Sequence, residues 1–137
     1  MEQQCAREIK ELHAFFVAWF TGAIPRTDAN FARFIGAITL DFALISPGGA
    51  LLEREALVTW VWDAHGSRSR FKIWIENFHL RRQLGGMAVA TYEEWQETDD
   101  GVTARLSTAV FLADARTPNG VRWLHVHETW VNDKVTR

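Results

Sequence analysis

Apolar residues recur at helical spacing over Glu2–Thr21, where Ile9, Leu12, Phe16 and Trp19 or Phe20 share one stripe and Gly22 supplies a stop. His13 lies at the edge of that stripe. After Pro25, Thr27 or Asp28 can cap a short helix running to about Ile35, with Phe31 and Phe34 turned inward. Residues 39–46 read as a strand, broken by Pro47, Gly48 and Gly49, which cannot continue a ladder but suit a tight turn. Helical spacing returns over residues 53–65, with Ala56, Leu57, Trp60 and Val61 as the inner stripe and Gly66 as its end.

Three alternating stretches follow, at residues 71–84, 87–97 and 102–112. Gly85-Gly86 and Asp99-Asp100-Gly101 are hairpin signals between them, and a looser connection holding Pro118 and Asn119 leads to a last strand at residues 121–131. The order is helix, helix, strand, helix, then a four-stranded antiparallel meander. That order predicts an α+β layer in which the long first helix covers one face of the sheet.

The last strand is rich on both sides. Strict alternation puts Trp123, His125, His127 and Thr129 on one face and Leu124, Val126, Glu128 and Trp130 on the other. Two histidines on one side and a carboxylate among apolar groups on the other suggest a pocket on one face of the sheet and a partner on the opposite face.

Composition narrows the function classes. At 137 residues and 47% apolar, the chain is expected to form a single domain, 1–137, with a sizeable core. A net charge of −2 offers no basic footprint, and Arg81-Arg82 is only a pair, so neither nucleic acid nor a membrane is an expected partner. Cys5 excludes an internal disulfide and is expected as an exposed, inert thiol in a polar N-terminal turn. No zinc spacing is present, and the charged opening MEQQCAREIKE lacks the apolar run of a signal peptide, which points to a cytoplasmic protein. Seven Trp and nine Phe against one Tyr can serve a core, an interface or an apolar ligand pocket alike.

The element order, the SPGG turn at residues 46–49 and the terminal WLHVHETW together resemble the NTF2-like superfamily, whose fold is a cystatin-like cone with N-terminal helices packed on a curved antiparallel sheet. The closest likeness is to its SnoaL-like, DUF4440 and ketosteroid-isomerase-like branch. There a last strand of the form WxxVHxHxS recurs, represented here by Trp123, Val126, His127 and Thr129, with Thr in place of the second His. For ketosteroid isomerase itself, the resemblance assigns the catalytic base to Ser46, the oxyanion donor to Phe15 and the late-strand acid to Thr108. A neutral Ser cannot abstract a carbon-bound proton unaided and Phe cannot hydrogen-bond an oxyanion, so that chemistry is not expected.

The association domain of calcium/calmodulin-dependent kinases shares the VHxH ending, and there the polar pocket is lined by residues that alternate with the histidines. Carried over, the pocket side is Val126, Glu128 and Trp130 on the last strand, Arg105, Ser107 and Ala109 on the strand before it, and Thr91, Glu93 and Trp95 on the next. The ligand-binding candidates are therefore Glu93, Trp95, Arg105, Glu128 and Trp130, with Arg105 as the cation that makes buried carboxylates tolerable. A register slip of one residue would exchange Glu93 for Tyr92 and Glu94. His125 and His127 bring no third ligand with them and read as packing or a dimer contact, and no metal or organic cofactor is expected.

Three function classes follow. The leading one is a homodimeric protein, paired through the outer sheet face, that holds a small organic molecule in an aromatic-lined pocket. The second is a cofactor-independent isomerase, dehydratase or hydrolase using a buried Glu as general acid or base. The third is a structural dimerisation domain.

Overall fold

A computed structural model describes residues 1–131. Its elements in chain order are α1 (Glu2–Thr21), α2 (Asp28–Ile35), β1 (Ile38–Ile45), β2 (Leu51–Glu53), α3 (Arg54–Asp63), β3 (Lys72–Leu84), β4 (Met87–Thr98), β5 (Gly101–Ala113) and β6 (Val121–Trp130). Helix α1 ends where Gly22 turns left-handed at φ 76°, so that its amide can return to the Ala18 and Trp19 carbonyls. Helix α2 starts on Thr27, whose hydroxyl accepts from the Asn30 amide at 3.1 Å.

One six-stranded sheet runs in the order β2-β1-β6-β5-β4-β3. The last four strands form the expected antiparallel meander. Strand β1 lies parallel to β6, and the SPGG turn folds the three-residue β2 back on β1 as an additional short hairpin. The helices cover one face of this curved, unclosed sheet, which is the cone that the resemblance implies.

Trp19 anchors the helical layer. It is fully buried, packs at 4.8 Å from Phe31 and 5.5 Å from Trp62, and donates its indole N–H to the Val61 carbonyl at 2.7 Å. Its polar atom is thus satisfied while its ring adds on the order of 3 kcal/mol of burial. Cys5 corrects an expectation: it is 0% exposed and part of the core. Burial pushes its thiol up to about 11, so it is inert because it is inaccessible. Among the described residues no helix is long and apolar enough to cross a membrane.

Two features of the sheet decide which side chains face the helices. Tyr92 pairs with Ser107 and Glu94 with Arg105 across β4 and β5, and Ser107 pairs with Glu128 across β5 and β6, so these residues share the inner face. In β6, Phe111 faces Trp123 while Val110 faces His125, which leaves Leu124 as an extra, bulged residue. The bulge brings Trp123 to the inner side together with Val126 and Glu128.

Candidate functional site

A cavity of ≈180 Å³ lies between α1, α3 and the sheet. Most of its wall is apolar: Leu12, Phe16 and Phe20 from α1, Phe34 from α2, Ile38, Phe42 and Leu44 from β1, with Trp123 and Val126 from β6. Trp60 belongs to the wall yet is half exposed, so the cavity meets solvent on the side of α3.

The sheet supplies a polar end. His13 is turned inward from α1 because it lies four residues after Ile9 and three before Phe16, in the middle of the buried stripe. Its Nδ1 donates to the Ile9 carbonyl at 2.6 Å and its Nε2 to Glu94 Oε1 at 3.0 Å. An imidazole facing acceptors on both nitrogens satisfies both only as the doubly protonated cation. Burial opposes that charge, but the adjacent Glu94 carboxylate outweighs it and His13 is raised above its ordinary value. Glu94 is equally buried, and burial would raise it. The His13 charge and hydrogen bond, Arg105 and the Gln96 amide at 2.6 Å instead hold it well below the usual carboxylate range.

Glu128 stands beside this pair in a different state. It is 8% exposed, and among the described residues its one hydrogen-bond partner is Arg105 Nη1 at 3.4 Å. Burial, together with the neighbouring Glu94 charge, pushes its carboxyl up to about 7 despite Arg105 and His13. Arg105 packs its guanidinium 5.0 Å from the centre of the Trp130 ring, and its buried Nε–H has no partner among the described residues. Arg68 completes the rim, 4.5 Å from the Phe71 ring centre and 5.2 Å from that of Phe20, with no carboxylate partner among the described residues. The Tyr92 phenol, fully buried and pushed far up by burial, remains protonated.

Of the sequence candidates, the structure brings Arg105 and Glu128 together in the cavity. Trp130 shares their face and contacts Arg105, but it is half exposed beyond the rim. Glu93 and Trp95 are corrections: the register of β4 is one residue removed from the assumed one, so both lie on the outer face with Thr91. There Glu93 accepts from Asn77 at 2.8 Å and from Trp95 at 3.0 Å, and Trp95 stacks on Trp74 with ring centres 6.0 Å apart. Glu94 takes the inward position. Trp123, assigned by alternation to the histidine face, is inward because of the bulge. Ser46, Phe15 and Thr108 do not line the cavity. Among the described residues no group of three or more His, Cys, Asp or Glu is placed to hold a metal ion.

A second buried carboxylate sits close by, and sequence reasoning did not single it out. Glu8 is 1% exposed and fully engaged: Arg33 donates to both oxygens at 2.8 and 3.1 Å, Asn119 at 3.0 Å and Trp123 Nε1 at 2.9 Å. It ties α1 to α2, to the β5–β6 connection and to β6. Its signal was available, since Glu8 lies four residues before Leu12 and three after Cys5 on the buried face.

The model of the sucrose-6-phosphate phosphohydrolase C-terminal family matches residues 5–132. Sucrose-phosphatase 2 of Nicotiana tabacum is 23% identical over 131 residues, which are 93% of this chain and 31% of that protein, so the chain spans about a third of the relative's length. Among solved structures, an NTF2-like protein of unknown function from Pseudomonas aeruginosa superposes with a TM-score of 0.85 at 26% identity, covering 94% of this chain and 99% of that one. The CaMKII hub of S. rosetta superposes with a TM-score of 0.71 at 18% identity, covering 95% and 96%. The inward-facing Glu94, Arg105 and Glu128 therefore sit in a chain that belongs to the sucrose-6-phosphate phosphohydrolase C-terminal family and has the NTF2-like fold.

Proposed function

We propose that this chain binds a small organic molecule in the cavity between α1 and the sheet. The observation that carries the reading is an apolar cavity, open on one side, whose polar end gathers His13, Glu94, Arg105 and Glu128. Buried ionisable groups are costly and are retained where they orient something or hold the fold together. Here one of them, Arg105, has a buried N–H with no partner among the described residues. The volume of ≈180 Å³ is close to the ~150 Å³ of an apolar cavity that admits benzene, so a single ring or a short branched chain fits. A disaccharide exceeds that volume and would leave hydroxyls unpaired against phenylalanine walls, so the substrate named for the tobacco relative is not carried over.

Benzyl alcohol and benzoate are suitable probes, read by a saturable rise in the thermal midpoint and a change in tryptophan fluorescence. Val126→Trp, which fills the cavity, should abolish both responses. If neither probe shifts the midpoint at millimolar concentration, the cavity is not a binding site.

Two further readings draw on particular observations. Glu128, poised near neutral pH beside the Tyr92 phenol, is suited to general acid or base work in a cofactor-free isomerase, dehydratase or hydrolase. Separately, the outer face exposes Leu106, half-buries Val110 and His125 and carries the Trp74–Trp95 stack, a surface suited to a second copy of the chain. Light scattering should then give twice the 15.7 kDa chain mass, and Leu106→Arg should return it to one. A wild-type monomer at micromolar concentration would remove the dimer.

A further inference from the structure

We propose that the ligand is a small organic monoanion with an apolar body, whose charged group lies against Arg105 and Arg68 and takes the place that Glu128 holds at Arg105. This rests on the binding reading above and specifies its ligand.

Charge is the first argument. Apart from the neutral Tyr92 phenol, the ionisable residues lining the cavity are His13, Arg68 and Arg105 on one side of the balance and Glu94 and Glu128 on the other, so with these five ionised the cavity carries a net positive charge. His13 and Glu94 are spent on each other at 3.0 Å. What remains is two guanidiniums and one carboxylate. Arg68 has no acidic partner among the described residues, and it lies close enough to Arg105 for the two to repel, which together with burial lowers its affinity for its proton. Two arginines that line one cavity and repel each other are stabilised by an anion between them.

Geometry is the second argument. The Arg105–Glu128 contact is a single one at 3.4 Å, whereas Arg33 engages Glu8 through two nitrogens at 2.8 and 3.1 Å. The buried Nε–H of Arg105 also has no partner among the described residues. A guanidinium held loosely by one oxygen, with a donor to spare, has room for a better acceptor. The aromatic rings under Arg68 and beside Arg105 hold both cations in place without consuming their hydrogen-bond donors. The rest of the wall is phenylalanine, leucine and isoleucine, which selects an apolar body.

Glu128 sets the pH response. The groups facing it are His13 from α1, Tyr92 and Glu94 from β4 and Arg105 from β5. When Glu128 is protonated it releases Arg105 and can itself donate to the incoming anion. When it is ionised it competes for Arg105 and repels the anion. Because its carboxyl titrates at about 7, binding is coupled to proton uptake across the neutral range.

The experiment is calorimetric titration with benzoate and its neutral analogue benzyl alcohol at pH 6 and pH 8. Benzoate should bind at least tenfold more tightly than benzyl alcohol at pH 6, and about tenfold more weakly at pH 8 than at pH 6 as Glu128 ionises. Glu128→Gln should remove most of that pH dependence, and Arg105→Met should erase the preference for benzoate while benzyl alcohol still binds. Arg68→Met, on the rim, repeats that test should Arg105→Met fail to fold. Benzyl alcohol binding as well as benzoate at both pH values would overturn the anion inference and leave the apolar site standing. Failure of both probes would remove the binding reading itself.

Discussion

Two buried glutamate clusters lie within the same layer, and their contrast separates holding from reacting. Around Glu8 every acceptor position is taken by Arg33, Asn119 and Trp123 at 2.8–3.1 Å, and the groups come from elements distant in the chain. Around Glu128, among the described residues, there is one hydrogen bond at 3.4 Å, an arginine N–H without a partner and an adjacent cavity. Both carboxylates are buried, so burial alone does not distinguish a clamp from a site. Saturation does: a carboxylate with its lone pairs filled has nothing left for a ligand, whereas one short of partners gives up its charge first.

The largest expected effect breaks the clamp. Glu8→Ala leaves the Arg33 guanidinium and the Trp123 N–H facing a hole, and it should cost about 3–5 kcal/mol in chemical denaturation. A loss below ~1 kcal/mol would show that the cluster is dispensable and that the contrast with Glu128 has no energetic meaning.

A smaller effect, on the order of 3 kcal/mol, concerns pH. Glu128 binds its proton more tightly in the folded chain, where it titrates at about 7, than in the unfolded chain, where 4.5 applies. Its contribution to stability is therefore fully present below 4.5 and is lost as pH rises through about 7. His13, also raised, acts in the same direction: its contribution is present below 6.5 and lost as pH rises through its folded value. Glu94 acts oppositely, contributing above 4.5 and failing as acid protonates it. Denaturation midpoints should peak on the acid side of neutrality and decline toward pH 8, and Glu128→Gln should flatten much of the decline. A wild-type profile that rises from pH 6 to 8 would place the Glu128 proton elsewhere.

The smallest effect tests the two faces of β4. Glu93→Ala, on the outer side, should change stability by less than ~0.5 kcal/mol, because its hydrogen bonds to Asn77 and Trp95 lie at the surface. Glu94→Ala, one residue along, strands a buried imidazolium and should cost several times more. Equal costs would contradict the register.

Much of this was readable from the chain, and the misses have particular causes. Periodicity located the helices and the meander, because Leu12, Phe16 and Phe111 leave little choice of side. Strand β4 gave a poor signal: its inner face offers only Ala88, Ala90 and Tyr92, while Val89 and Trp95 are as apolar on the outside. Adjacent glutamates at 93 and 94 then fit either register. Glu8 and His13 have the spacing of core positions on α1, but a charged residue on a helix is by habit assigned to solvent. The inward-facing partners that make them tolerable, Arg33, Asn119, Trp123 and Glu94, come from remote parts of the chain.

The bulge at Leu124 has a consequence for how this strand can vary. Trp123 and Glu128 are an odd number of residues apart, and on a regular strand such a pair is split between opposite faces. One unpaired residue changes the parity, so a single strand delivers its indole to the clamp and its carboxylate to the cavity. Removing Leu124 would leave both side chains on the inner face of a straighter strand, whereas adding one residue between 124 and 127 would exchange the cavity's carboxylate for the His127 imidazole. A one-residue insertion here is a change in the chemistry on offer, made without substituting any existing side chain.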